Sequence, residues 1–160
     1  MFAKAWPPAL VLSLLFLPMT SMAEEPASDS LRTAHLRIAR PTDDLGPVVA
    51  FYRDALGFEE LASFEDHEGF DGVMLGHRGQ GFHLELTRER GHRVGRAPNP
   101  EHLLIFYLPE EAAWQATVDR LRKHGHPPVE PNNPYWKRNA LTFEDPDGYR
   151  VVLANYAWGR

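Results

Sequence analysis

The sequence predicts an α+β fold built from two βαβββ modules, and three observations carry that expectation. Short runs alternate apolar and polar residues with the period of a strand, while two longer segments carry the apolar stripe of a helix. The order of runs and stripes occurs twice, on either side of a segment rich in Arg, Gly and Pro. The spacing also repeats: His35 and His102 are 67 residues apart, and so are Glu85 and Val152.

Each element has a local reason. Arg32 to Arg40 alternates, with Leu36 and Ile38 on one face and His35, Arg37 and Ala39 on the other, which predicts a strand. Pro41 ends it, and Thr42 or Asp43 is placed to cap a helix whose stripe is Leu45, Val48, Val49, Tyr52, Ala55 and Leu56. Gly57 stops that helix, and strands are expected over Phe58 to Phe64, Gly72 to Gly76 and Gly81 to Thr87. Residues 88–100 read as a linker. The second module opens with a strand over Glu101 to Leu108. A helix follows, begun at Pro109, with Trp114, Thr117, Val118 and Leu121 as its stripe and Arg120, Arg122, Lys123 and His124 at its cation-favouring end. A proline-rich loop from Pro127 to Pro134 precedes Tyr135-Trp136. The chain then closes with a hairpin whose turn, Asp145-Pro146-Asp147-Gly148, has the residue order of a type I turn.

Residues 1–23 read as a cleavable secretory signal. Lys4 supplies the positive start, Ala9 to Leu17 an apolar stretch too short to span a bilayer, and Ser21-Met22-Ala23 the small residues of a cleavage site. The expectation is a periplasmic or secreted protein beginning at Glu24, with residues 24–30 a polar lead-in to a domain over 31–158, and no membrane attachment after cleavage. A formal net charge of −5 argues against nucleic acid and anionic lipid as partners. The absence of cysteine excludes disulfides and thiol chemistry, leaving His, Asp and Glu as metal ligands.

Several segments carry a family resemblance: Ala34-His35-Leu36, Phe51 to Phe58 (FYRDALGF), Phe82-His83-Leu84-Glu85-Leu86, Glu101-His102-Leu103 and Phe143 to Gly148 (FEDPDG). Together they resemble the glyoxalase/bleomycin-resistance/extradiol dioxygenase group, the vicinal oxygen chelate (VOC) superfamily, over about residues 31 to 156. The resemblance implies that modules 31–87 and 101–156 form a curled mixed-sheet cup with helices outside, and it favours a homodimer. It also implies metal ligands on the first and fourth strand of each module. Carried over by position these are His35, Glu85 and His102, with Glu85 also the candidate catalytic carboxylate, and the fourth position is Val152, which cannot ligate.

Two imidazoles and a carboxylate suit Fe(II), Mn(II), Zn(II) or Ni(II) with open positions for water or substrate. The activity then implied is that of a metal-dependent lyase, isomerase or dioxygenase on a small oxygen-bearing molecule. The other reading is a metal-free protein that binds or sequesters a small molecule, as bleomycin-binding relatives do. Candidate ligand contacts are Arg37 and Arg150, each otherwise a surface arginine. Tyr135 and Trp136 either wall the pocket or anchor their loop, and Tyr156 completes the set. His83 reads as a spare ligand or a support for one.

Overall fold

The computed structural model describes residues 30–159, so the expected signal and all of the lead-in but Ser30 lie outside the described residues. Ser30–Arg32 form one 3-10 turn, and the chain from Thr33 onward is a unit of its own that holds every strand and α-helix described. Strand β1 is Leu36–Pro41, helix α1 is Leu45–Ala50, and α1 runs on as a π-helical segment, Phe51–Leu56. Then come β2 (Glu59–His67), β3 (Phe70–Gly76) and β4 (Phe82–Glu89). The second half has β5 (Leu103–Tyr107), α2 (Glu111–Lys123), a 3-10 turn (Pro134–Lys137), β6 (Ala140–Glu144) and β7 (Arg150–Ala154).

The strands make two mixed sheets, ordered β1-β4-β3-β2 and β5-β7-β6. In each, the first and last strands run parallel and the other pairs antiparallel. The expected second strand of the second module is reduced to a single bridge between Val129 and Thr142. Pro127, Pro128 and Pro131 flank that bridge and have no N–H to donate to a ladder.

The helix-facing sides of both sheets share one core. Val48, Phe51, Tyr52 and Val118 from the helical segments meet Leu75, Leu84 and Leu86 of the first sheet and Phe143, Val151 and Leu153 of the second. The helix cap differs from the expected pair. Asp44 caps α1, its carboxylate accepting the Gly46 N–H at 3.1 Å. Asp43 instead accepts the amides of Val94 and Gly95 at 2.7 and 3.2 Å, tying down the linker. The π-helical turn ends at Gly57, left-handed at φ 98°, with the N–H groups of Gly57 and Phe58 both donating to the Tyr52 carbonyl.

A buried polar network joins the two halves. The Tyr52 hydroxyl donates to Asp145 Oδ2 at 2.8 Å and accepts from Arg40 Nη1 at 3.0 Å, and the Arg40 guanidinium lies 4.3 Å over the Tyr149 ring. Asp145 Oδ1 meanwhile accepts the N–H groups of Asp147 and Tyr149, which shapes the turn. The FYRDALGF and DPDG segments therefore meet in space, the first supplying the phenol and the second the carboxylate.

Candidate functional site

The sheet faces turned away from the helices carry the candidate residues. On the first sheet, the register pairs Arg37 with His83 and Ala39 with Glu85, so alternation places Arg37, His83 and Glu85 on one face. Their side chains form a continuous chain. Arg37 Nη1 is 3.0 Å from Glu85 Oε2, Arg37 Nε donates to His83 Nε2 at 3.1 Å, and His83 Nδ1 is 2.6 Å from His35 Nε2. The pattern fixes the tautomers. An arginine donates only, so His83 Nε2 accepts, its proton sits on Nδ1, and that N–H donates to His35. Burial, with the neighbouring His35 and Arg37 adding to it, lowers the His83 pKa, which favours the neutral imidazole. Glu85 is only 7% exposed.

On the second sheet the equivalent face is apolar around Val152. Val152 is fully buried in a cluster with Trp136, Ala140 and Ala154, against which Leu103, Ile105, Tyr107 and Tyr156 pack. The residue paired with Val152 is Ile105, whereas the repeat spacing of 67 residues, applied to Ala39 opposite Glu85, points to Phe106. The first strand of the second module is thus displaced by one residue relative to the repeat. A one-residue displacement exchanges the two faces of a strand: Leu104 and Phe106 pack with the helix-side core, and Leu103, Ile105 and Tyr107 take the other side. His102, just before β5, lies edge-on to Tyr149 with ring centroids 6.1 Å apart, in a hollow shared with Ala39, Arg40 and Glu101. The structure therefore groups His35 with Glu85 through His83 and Arg37, and leaves His102 outside that group. Among the described residues no three His, Asp or Glu side chains are placed to hold one metal ion.

The candidate ligand contacts divide as well. Arg150 pairs with Glu144 at 3.1 Å and donates to the Glu130 carbonyl at 3.3 Å, so it fastens the proline-rich loop. Trp136 is an anchor of that loop, 8% exposed. Tyr135, 62% exposed, and Tyr156 line a recess of about 450 Å³ with Pro134, Arg138 and Asn139. Burial, and then the hydrogen bond with Tyr135, pushes the Tyr156 hydroxyl up to about 12. Arg138 and Asn139 carried no sequence signal beyond Asn139's tolerance of the left-handed backbone it adopts, φ 53°.

Residues 36–87 match the model of the YycE-like N-terminal domain, and residues 101–155 match that of the YycE-like C-terminal domain. The YycE protein of Bacillus subtilis strain 168 is 40% identical over 126 residues, covering 79% of this chain and 91% of that protein. The chain belongs to the YycE-like family. The crystal structure of a YycE protein of unknown function from Bacillus subtilis superposes with a TM-score of 0.74 at 38% identity, covering 82% of this chain and 98% of that one. The trypanothione-dependent glyoxalase I of Leishmania major (TM-score 0.59, 24% identity, 76% of this chain and 86% of that one) shares the fold. So does the fosfomycin resistance protein FosX of Mesorhizobium loti (0.58, 12%, 76% and 90%). This YycE-like chain therefore has the VOC fold, and its two domains correspond to the two modules.

Proposed function

We propose that this protein is a metal-independent, small-molecule-binding member of its family, with the ligand held in the recess of Tyr135, Tyr156, Arg138 and Asn139. The observation that carries this reading is the apolar cluster around Val152. The position where the superfamily resemblance implies a fourth metal ligand is a valine sealed in with Trp136, away from solvent. Glu85 adds support, because its carboxylate is already engaged by Arg37.

The recess has the properties of a ligand site. Its volume falls within the roughly 300–1,000 Å³ of small-molecule pockets. Two phenol rings supply apolar walls, the raised Tyr156 hydroxyl stays protonated across neutral pH as a donor, and Arg138 adds a cation. The test is thermal denaturation in EDTA against a panel of aromatic acids and aromatic antibiotics, with Tyr156→Ala alongside wild type. At least one compound is expected to raise the melting temperature of wild type and not of the variant. Compounds that stabilise only when a divalent metal is supplied would overturn the proposal.

A further inference from the structure

A second crevice, of about 500 Å³, opens at the junction of the two modules, on residues that none of the candidate sites uses. Its walls are aromatic: Phe58 and Phe82 come from the first module and Phe106 from the second. Phe58 packs edge-on against Phe106 at 5.8 Å and His77 at 5.5 Å, so these rings form one continuous aromatic wall of the crevice. His77, Gln80, Thr117 and Arg120 add polar groups to the lining. Glu59 lies behind His77, 3.4 Å from its Nδ1.

Arg120 is held rigidly in this position. Its Nε donates to the Ala55 carbonyl at 3.0 Å and its Nη2 to the Leu56 carbonyl at 2.5 Å, at the end of the first helical segment. Its Nη1 takes part in neither bond. Gly57 makes the seat: a Cβ there would lie 2.5 Å from Arg120 Nη2, so a side chain at position 57 would displace the guanidinium. A fixed cation in the lining of a crevice with aromatic walls suits one ligand chemistry, a flat apolar body carrying a negative group.

We propose that the inter-module crevice is a second small-molecule site, taking a planar aromatic anion with its ring system among Phe58, Phe82 and Phe106 and its charge at Arg120. A ligand there would touch both modules. It would therefore stabilise their association by mass action in proportion to its occupancy. The proposal does not depend on the Tyr135–Tyr156 recess.

The probe is 1-anilinonaphthalene-8-sulfonate, followed by its fluorescence on the folded full chain. Wild type is expected to bind saturably with one site per chain at the crevice. Thr117→Trp and Gln80→Trp each add an indole to the crevice lining, one on a helix surface and one on an exposed turn, and each is expected to weaken that binding at least tenfold. The comparison is repeated in the Tyr156→Ala background, where the other recess is disabled and the crevice site should remain. Near-ultraviolet circular dichroism identifies any variant that has lost its fold, and either tryptophan variant suffices. The proposal is overturned if wild type shows no saturable binding, or if a folded tryptophan variant binds as wild type does. It is equally overturned if Tyr156→Ala abolishes the signal.

Discussion

At the scale of single residues, Tyr52 and Asp145 explain why two short sequence segments weigh so heavily. Burial raises the Asp145 pKa above its ordinary value, against the pull of the Tyr52 hydroxyl and the Tyr149 amide. A carboxyl raised in the folded state costs stability as it ionises. Its contribution therefore falls as pH climbs from the unfolded value, near 3.8, through the elevated folded one. Tyr52→Phe withdraws a donor from the ionised form. The loss should be about 1–3 kcal/mol near pH 7 and smaller near pH 4. Urea midpoints of both proteins at both pH values check this, and equal losses would show that Asp145 is not the partner that matters. Thr142 offers the opposite sign. Among the described residues its buried hydroxyl has no hydrogen-bond partner, and it lies in register with Val152. Thr142→Val should stabilise the protein by about 1 kcal/mol; a loss of stability would mean that a buried water or ligand group satisfies the hydroxyl. Val152→Glu places a carboxylate in the Trp136 cluster and should cost at least about 3 kcal/mol, measured in the same way. An unchanged midpoint would mean the face around Val152 opens readily to water.

At the scale of elements, the first module was legible in the sequence because its alternation is regular. Leu84 and Leu86 on one face and Glu85 on the other follow directly from period two, and the structure buries Leu84 and Leu86 in the helix-side core. The second module was harder to read. A repeat distance shared by His35–His102 and Glu85–Val152 hides the one-residue displacement of β5, which only the pairing of Ile105 with Val152 reveals. The link between Tyr52 and Asp145 spans 93 residues, beyond any local pattern. One anchoring device acts across strands. Asp71 on β3 accepts from Arg90, just after β4, at 2.6 Å and from the Asp66 amide of β2 at 3.0 Å. The Arg90 guanidinium, helped by that amide, holds the Asp71 carboxyl down at about 2. A depressed carboxyl stabilises the fold above its unfolded value, and the gain disappears as pH falls from near 3.8 towards 2. Asp71→Asn should therefore lower the melting temperature at pH 7, and its gap from wild type should close between pH 4 and 2. A gap that stays constant over that range would assign the effect to shape and not to charge.

At the scale of the whole molecule, two modules with a common plan have diverged on the faces that lie away from their shared core. The first keeps a polar chain from His35 through His83 and Arg37 to Glu85; the second has closed over Val152 with Trp136 and opened an aromatic recess beside it. The proposed function requires that such an arrangement bind small molecules without a metal. Calorimetric titration of untagged, chelator-stripped protein with Zn(II), Mn(II), Ni(II) and Fe(II) tests it most directly. Weak, non-saturating heats are expected, the same for wild type and Glu85→Gln. One saturable site per chain, weakened tenfold or more by Glu85→Gln, would contradict it.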